Sequence, residues 1–396
     1  MLRLKSLLAV TAACTVFAFG AHAADQTSSA LTAAVKDPGR PLIQQAFDGA
    51  TKPADALAFA QIKPGQTVVD FIPGDGYYTR IISKFVGPKG KLYAFVPFAG
   101  AINAETLRRQ QKNVEQPVDA ILALENLPHY PNLFTIWQFI GQDKGTFAVP
   151  AQADVVWTAN YPTLYVEKLT ATKAKDLPGV HKAIFDEIKP GGYYVVSGAR
   201  SMPGTGYAQA ERLGRVDPEV VKADLIAAGF VLDSESNALA VADDDHTEPA
   251  SMFLGGPDRF LLRFKKPADA PKDKRDEYTK YMATLFGNSW ISTYQTPGER
   301  HHFYHADGTY EELGKLGTQL QEGRWYVAAN GLTCLMHQYP APERAYTICS
   351  LRGEHKVGDT WMGQNARGST TFIIKPGIVY LDDVPNQKPG AKGDDE

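Results

Sequence analysis

The sequence predicts an α/β protein: a largely parallel sheet with helices on both faces, followed by a small all-β barrel or sandwich domain. Three observations carry this expectation. Between about residues 41 and 266, short apolar runs alternate with helical segments long enough to cross over a sheet. The first strong strand pattern ends in a glycine turn, "VVDFIPGDGYYTR" (68–80), that leads straight into a helical pattern. Beyond "PADAPKDKRDEY" (267–278) the pattern changes to short strands punctuated by "TPGE", "ADGTY", "AANG", "RGEHKVGD" and "ARGST".

Residues 24–40 are small and polar and read as a flexible lead-in. "KPADALAFAQI" (52–62) is a short helix, and "KPGQTVVDFI" (63–72) a turn followed by a buried strand. "YYTRIISKFVG" (77–87) puts Ile81, Ile82 and Phe85 on one helical face and stops at Gly87-Pro88. "GKLYAFVP" (90–97) is a second strand, "NAETLRRQQKNVE" (103–115) a polar helix and "NLFTIWQFI" (132–140) a third strand. "ADVVWTANY" (153–161) is a fourth strand with an abrupt polar end. "VHKAIFDEIKPGG" (180–192) is a helix closed by a Pro-Gly-Gly turn, and "YYVVSGAR" (193–200) a fifth strand. In "DPEVVKADLIAAGF" (217–230), Asp217 is the N-cap and Pro218 the first helical residue. "FVLDSESNAL" and "RFLLRFKKP" complete the α/β domain, assigned to 41–266. A linker (267–280), the β domain (281–385) and a disordered tail (386–396) follow. No fixed-period repeat is present.

Doubly wound sheets bind ligands outside the carboxyl ends of their strands. Those ends are Asp70 to Ile72 running into Pro73-Gly74-Asp75-Gly76, Val96-Pro97, Asn160-Tyr161 and Ala199-Arg200. With the last strand antiparallel, "VADDDHTEP" (241–249) joins the same edge, so Asp243, Asp244, Asp245 and His246 are expected to overhang a pocket. Gly74 and Gly76 let backbone approach a ligand closely, and the following helix offers free N–H groups. The alternative is a turn kept only for folding. His246 and Asp245 are candidates for a general base, against the plainer reading of a solvated acidic loop. One histidine beside adjacent aspartates does not define a coordination shell, and no metal is expected.

"VVDFIPGDGYYT", "GKLYAF", "ADVVWTAN" and "IKPGGYYVVSG" fall in the order and spacing of the class I S-adenosylmethionine-dependent methyltransferases. They resemble that family's Asp-x-x-x-Gly-x-Gly loop, its second strand, the polar end of its fourth strand and its turn before the fifth. "DPEVVKADLIAAGF", "DDDHTEP" and "RFLLRFKKP" look like the ending of a secreted branch of predicted methyltransferases. The resemblance covers roughly residues 41 to 266 and implies a Rossmann-like sheet with S-adenosylmethionine as cofactor. It implies Asp70 as anchor of the loop, Gly74 and Gly76 beneath the methionine moiety, Asp75 and Tyr77 close by, and Asn160 and Tyr161 edging the transfer site. His246, Asp245 and Tyr161 are the catalytic candidates. Two departures stand out: Ile72 replaces the first glycine, and Phe95-Val96-Pro97 replaces the acidic residue that ends strand two.

A net charge of −3 and a pI near 6.3 give no global basic field, so nucleic acid is not an expected partner. Arg3 and Lys5, the apolar run from Leu7 to Gly20, and Ala21-His22-Ala23 read as a secretory signal cleaved near Ala23. The chain is therefore expected in a periplasm or outside the cell, with no transmembrane segment. Cys334 and Cys349 flank "LMHQYPAPERAYTI"; on opposed hairpin positions they are close enough for a disulfide. His301, His302 and His305 read as surface histidines before an Asp-Gly turn. Trp290, Tyr310, Trp325 and Trp361 read as core aromatics. The activity expected is methyl transfer to a small molecule. The alternative is a non-catalytic periplasmic binding protein for a nucleoside-like or aromatic metabolite.

Overall fold

A computed structural model describes residues 26–97, 117–140, 147–170, 176–253, 255–294, 298–314, 318–338, 346–351, 354–365 and 368–379. The segment expected to be a secretory signal, the segment 103–115 expected to be a polar helix and the tail 386–396 expected to be disordered lie outside the described residues.

Among the described residues seven strands form the α/β part: β1 (Thr67–Phe71), β2 (Lys91–Pro97), β3 (Leu133–Gln138), β4 (Ala153–Thr158), β5 (Ile188–Ala199), β6 (Val231–Ser236) and β7 (Arg259–Lys265). Their order is β3-β2-β1-β4-β5-β7-β6. β1 to β5 run parallel, and β7 is antiparallel to both neighbours, which meets the condition under which the loop 241–249 joins the ligand-binding edge. The side-chain period of two divides these strands between two cores. Val68, Leu92, Val155 and Val195 pack on one face with Ile81, Ile82 and Phe85 of the helix Tyr77–Val86. Val69, Phe71, Phe95, Val156 and Val196 pack on the other with the helices Leu177–Glu187 and Pro218–Ala227. Helices thus cover both faces.

Residues 26–35 form a helix, not a flexible lead-in: Leu31 and Ala34 are buried in the first core. The linker also carries structure, since the helix Arg275–Met282 begins inside it.

The C-terminal strands are β8 (Ser289–Tyr294), β9 (Gly298–Tyr304), β10 (Thr309–Gly314), β11 (Thr318–Val327), β12 (Leu332–Gln338), β13 (Tyr346–Leu351), β14 (Thr360–Asn365) and β15 (Gly368–Lys375). They are paired antiparallel in the order β14-β15-β8-β9-β10-β11-β12-β13, an all-β region as expected. Trp290, Tyr310 and Trp325 are core residues of this sheet, with Trp361 packed against them. Cys334 and Cys349 lie opposite each other on β12 and β13 and form a disulfide, with Cα atoms 4.0 Å apart. His301 and His302 are buried, contrary to the surface reading. His301 lies between the Glu299 carboxylate and the Val379 carbonyl, and His302 beside Glu312; only His305 keeps substantial exposure.

The two parts meet as one sheet: Thr347 of β13 pairs in parallel with Gln138 of β3. Beside this seam, the buried Glu187 accepts from Arg275 and, at 2.9 Å, from the Ala329 N–H. Arg275 also donates to the Val149 and Val327 carbonyls, and the Tyr326 hydroxyl to the Ala148 carbonyl.

Candidate functional site

β1 pairs with β2 on one side and β4 on the other, so the chain leaves the ends of β1 and β4 in opposite directions. A sheet opens a crevice at such a switch point. The loop after β1 crosses it with Ile72, Gly74 and Gly76 all at positive φ (62°, 60° and 84°). The two glycines serve different ends. Among the described residues a Cβ on Gly74 meets only the Asn160 side-chain nitrogen, at 3.8 Å, so its face is open to them toward the end of β4. A Cβ on Gly76 comes within 2.5 Å of Leu124 Cδ1 and 3.3 Å of Ile121 Cδ1, so the lack of a side chain here admits the helix Pro117–Glu125. Ile72 keeps the left-handed conformation that the missing glycine would hold without strain. A buried β-branched residue there carries a cost of order 1–3 kcal/mol.

Asp70 is buried beneath the loop and accepts a 2.6 Å hydrogen bond from the Thr79 hydroxyl. Burial pushes its carboxyl up to about 7 despite that donor.

Asp75 and Tyr77 are drawn toward the N-terminal segment. Gln44, on the short helix Leu42–Gln45, donates to the Asp75 carboxylate at 3.1 Å. The Tyr77 hydroxyl donates to Asp48 at 2.5 Å and shares a 2.6 Å hydrogen bond with Thr51. Arg40 pairs with Asp48 and lies over the Tyr77 ring. The sequence reading missed this cover, because a polar segment carries no periodic signal.

Next to Asn160 an open cleft of about 390 Å³ runs along the ends of β4, β5 and β7. Asn160, Thr163, Ala199, Leu213, Ala250 and Arg259 are among its lining residues. The loop into β7 reaches it through Pro249, Ala250 and Ser251; Asp245 and His246 are not in its lining. His246, at φ 65°, turns back so that Nε2 lies 2.9 Å from Asp258 Oδ2. Asp245 is capped by the Thr247 N–H and hydroxyl. The acidic run is not simply a solvated face: Asp244 is buried in a two-pronged ion pair with buried Arg215. Burial raises the Asp244 carboxyl, but the Asp258 and His246 N–H groups and Arg215 outweigh it and hold it below the usual range. Tyr161, expected at the rim, is fully buried in the second core with its hydroxyl 3.0 Å from His181 Nε2. Residues 161–165 form a 3₁₀ turn that carries the ring inward while Asn160 stays at the edge. Arg259, which in the sequence is only the first residue of the apolar run "RFLLRFKKP", also lines the cleft.

Among the described residues no cluster of metal-ligating side chains occurs, and no helix is long and apolar enough to cross a membrane.

No family model and no curated protein matches the chain. Among solved structures it is similar to a SAM-dependent methyltransferase from Aquifex aeolicus (18% identity, 59% of this chain and 96% of that one, TM-score 0.37). It is also similar to a TehB-like SAM-dependent methyltransferase from Corynebacterium glutamicum (13%, 55% and 87%, 0.31). A third is the glycopeptide N-methyltransferase MtfA complexed with S-adenosylmethionine (13%, 54% and 87%, 0.32). Likeness at this level assigns no activity to the present chain.

Proposed function

We propose that the chain is an exported S-adenosylmethionine-dependent methyltransferase acting on a small-molecule acceptor. One observation carries the reading: at the switch point of the sheet, the open face of Gly74 looks across to Asn160, beside a cleft large enough for a small molecule. The residues present suit the amino-acid end of the cofactor. Gly74 gives backbone access, the Asn160 amide offers both a donor and an acceptor, and the backbone at the start of the helix Tyr77–Val86 offers N–H groups. When bound, S-adenosylmethionine supplies a methyl group activated by its sulfonium. The chain's own contribution is positioning: the loop fixes one reactant, the cleft holds the other, and Asn160 stands between them. Asp70 acts from beneath, keeping the loop in place through Thr79.

The second reading, a non-catalytic binding protein, is favoured by the end of β2. There Phe95, Val96 and Pro97 offer no carboxylate for ribose hydroxyls, and the catalytic candidates Asp245, His246 and Tyr161 do not line the cleft.

Titration calorimetry with S-adenosylhomocysteine separates the two. The transferase reading expects micromolar binding, lost in Gly74→Val because the branched side chain occupies the open face and is strained at φ 60°. No heat with either S-adenosylhomocysteine or S-adenosylmethionine removes it in favour of the binding protein.

A further inference from the structure

Arg40, Arg200, Arg215, Arg263, Arg275 and Arg300 each form an ion pair with an aspartate or glutamate. Arg259, which opens β7 and lines the cleft, forms none among the described residues. Its Nε donates to Ser197 Oγ at 3.4 Å and its Nη2 to the Ala159 carbonyl, both neutral acceptors; its Nη1 has no acceptor in the described chain. Burial lowers its pKa, and the compensating neighbour is the Tyr78 hydroxyl rather than a carboxylate. A guanidinium nevertheless stays charged. The fold therefore sets a cation into the wall of an open cleft with neutral hydrogen-bond partners only, an arrangement whose desolvation cost an incoming anion offsets.

The rest of the lining says what carries that anion. Pro162, Val166, Leu169, Ala199, Leu213 and Ala250 make the walls mainly apolar. Among the described lining residues Glu211 and Arg212 offset each other in formal charge, which leaves Arg259 as the net positive group, suited to one singly charged group. A dianionic phosphate calls for more positive charge than this.

We infer that the acceptor is a small molecule with an apolar body and one carboxylate, and that Arg259 takes the carboxylate within the cleft. This rests on the transferase reading for the word acceptor, though not for the binding itself. The carboxylate docks on the free Nη edge of the guanidinium, and the apolar body lies along Val166, Leu169 and Leu213. Arg259 is thus a specificity residue for the acceptor.

The test is calorimetric binding of octanoate and of 1-octanol near neutral pH, with and without S-adenosylhomocysteine. Octanoate is expected to bind about tenfold or more tighter than octanol, as a charge-assisted hydrogen bond requires. Arg259→Gln removes that preference, while Arg259→Lys keeps part of it, retaining charge but not the fork. Ala250→Trp obstructs the wall without touching the guanidinium. It weakens octanoate binding with the melting temperature unchanged, so the outcome does not hang on how well the Arg259 variants fold. Equal binding of octanoate and octanol, no binding of either, or wild-type octanoate affinity in Arg259→Gln overturns the proposal. So does an Arg259→Gln variant that loses S-adenosylhomocysteine and keeps octanoate, because the carboxylate then belongs to the cofactor. Octanoate preference without any S-adenosylhomocysteine binding sinks the transferase reading and leaves the anion site standing.

Discussion

Asp70 is a carboxylate taken out of water beside a single hydroxyl donor, and that makes it a pH-sensitive part of the loop. Its pKa is near 7 in the fold against an ordinary carboxylate value when unfolded. The folded state therefore holds the proton more tightly. Stability from this group is complete below about pH 4 and falls as pH rises toward and through about 7, by at most about 4 kcal/mol. Asp70→Asn, which keeps an acceptor for Thr79, is expected to flatten that slope and to be more stable than wild type above neutrality. Urea unfolding at about pH 5 and pH 8 reads the difference; a slope equal to wild type refutes it. Asp70, Gly74 and Asn160 were legible in the sequence because strand ends and glycines in a doubly wound pattern announce an edge. Tyr161 was not, because a turn one residue past Asn160 reverses the facing that strand alternation implies. Arg259 reads as the polar start of an apolar run, and nothing local signals that it pairs with no carboxylate among the described residues.

At the scale of elements, the loop from Val241 to Ser251 is latched, and the latch is Arg215. Its guanidinium grips Asp244 and takes the carbonyls of Arg200 and Glu248, while Asp244 also receives the N–H groups of His246 and Asp258. The latch sets where Pro249 to Ser251 meet the cleft. Arg215→Ala leaves Asp244 buried without its partner and is expected to cost about 3–5 kcal/mol, with faster amide exchange across the loop. Arg215→Met with Asp244→Leu, which removes both charges, is expected to recover much of that loss. A double variant as unstable as the single one contradicts the account. The sequence showed three acids in a row but not their partner, which lies 29 residues away from Asp244. Strand and helix succession was legible because periodicity is local. The burial of Asp244, His301 and His302 was not, because it depends on pairings across strands and loops. The cover over the glycine loop from Arg40, Gln44 and Asp48 was hidden for the same reason.

At the scale of the molecule, the α/β sheet and the β sheet are one hydrogen-bonded surface, held at the seam by a charge buried from both sides. Thr347 to Gln138 is the one strand pairing between them among the described residues, so the seam depends on side chains. Glu187 supplies the anchor: it is fully buried and accepts from Arg275, from the linker helix, and from the Ala329 N–H beyond β11. Burial pushes its carboxyl up to about 7, against the pull of Arg275. Removing the guanidinium removes that pull and leaves the desolvation, so the ionised carboxylate becomes the costly form. Arg275→Ala forfeits the hydrogen bonds to the Val149 and Val327 carbonyls at every pH, and it is expected to cost more above pH 7 than near pH 5, where Glu187 already carries its proton; the extra loss is about 1.4 kcal/mol for each unit by which removing the guanidinium raises that carboxyl further. With the seam weakened, guanidinium unfolding at the higher pH should separate into two transitions. One reports Trp137 and Trp157 in the α/β cores, the other Trp290 and Trp325 in the β core. A single pH-independent transition in the variant means that the halves are joined by apolar contact alone, and that Glu187 and Arg275 are incidental to their coupling.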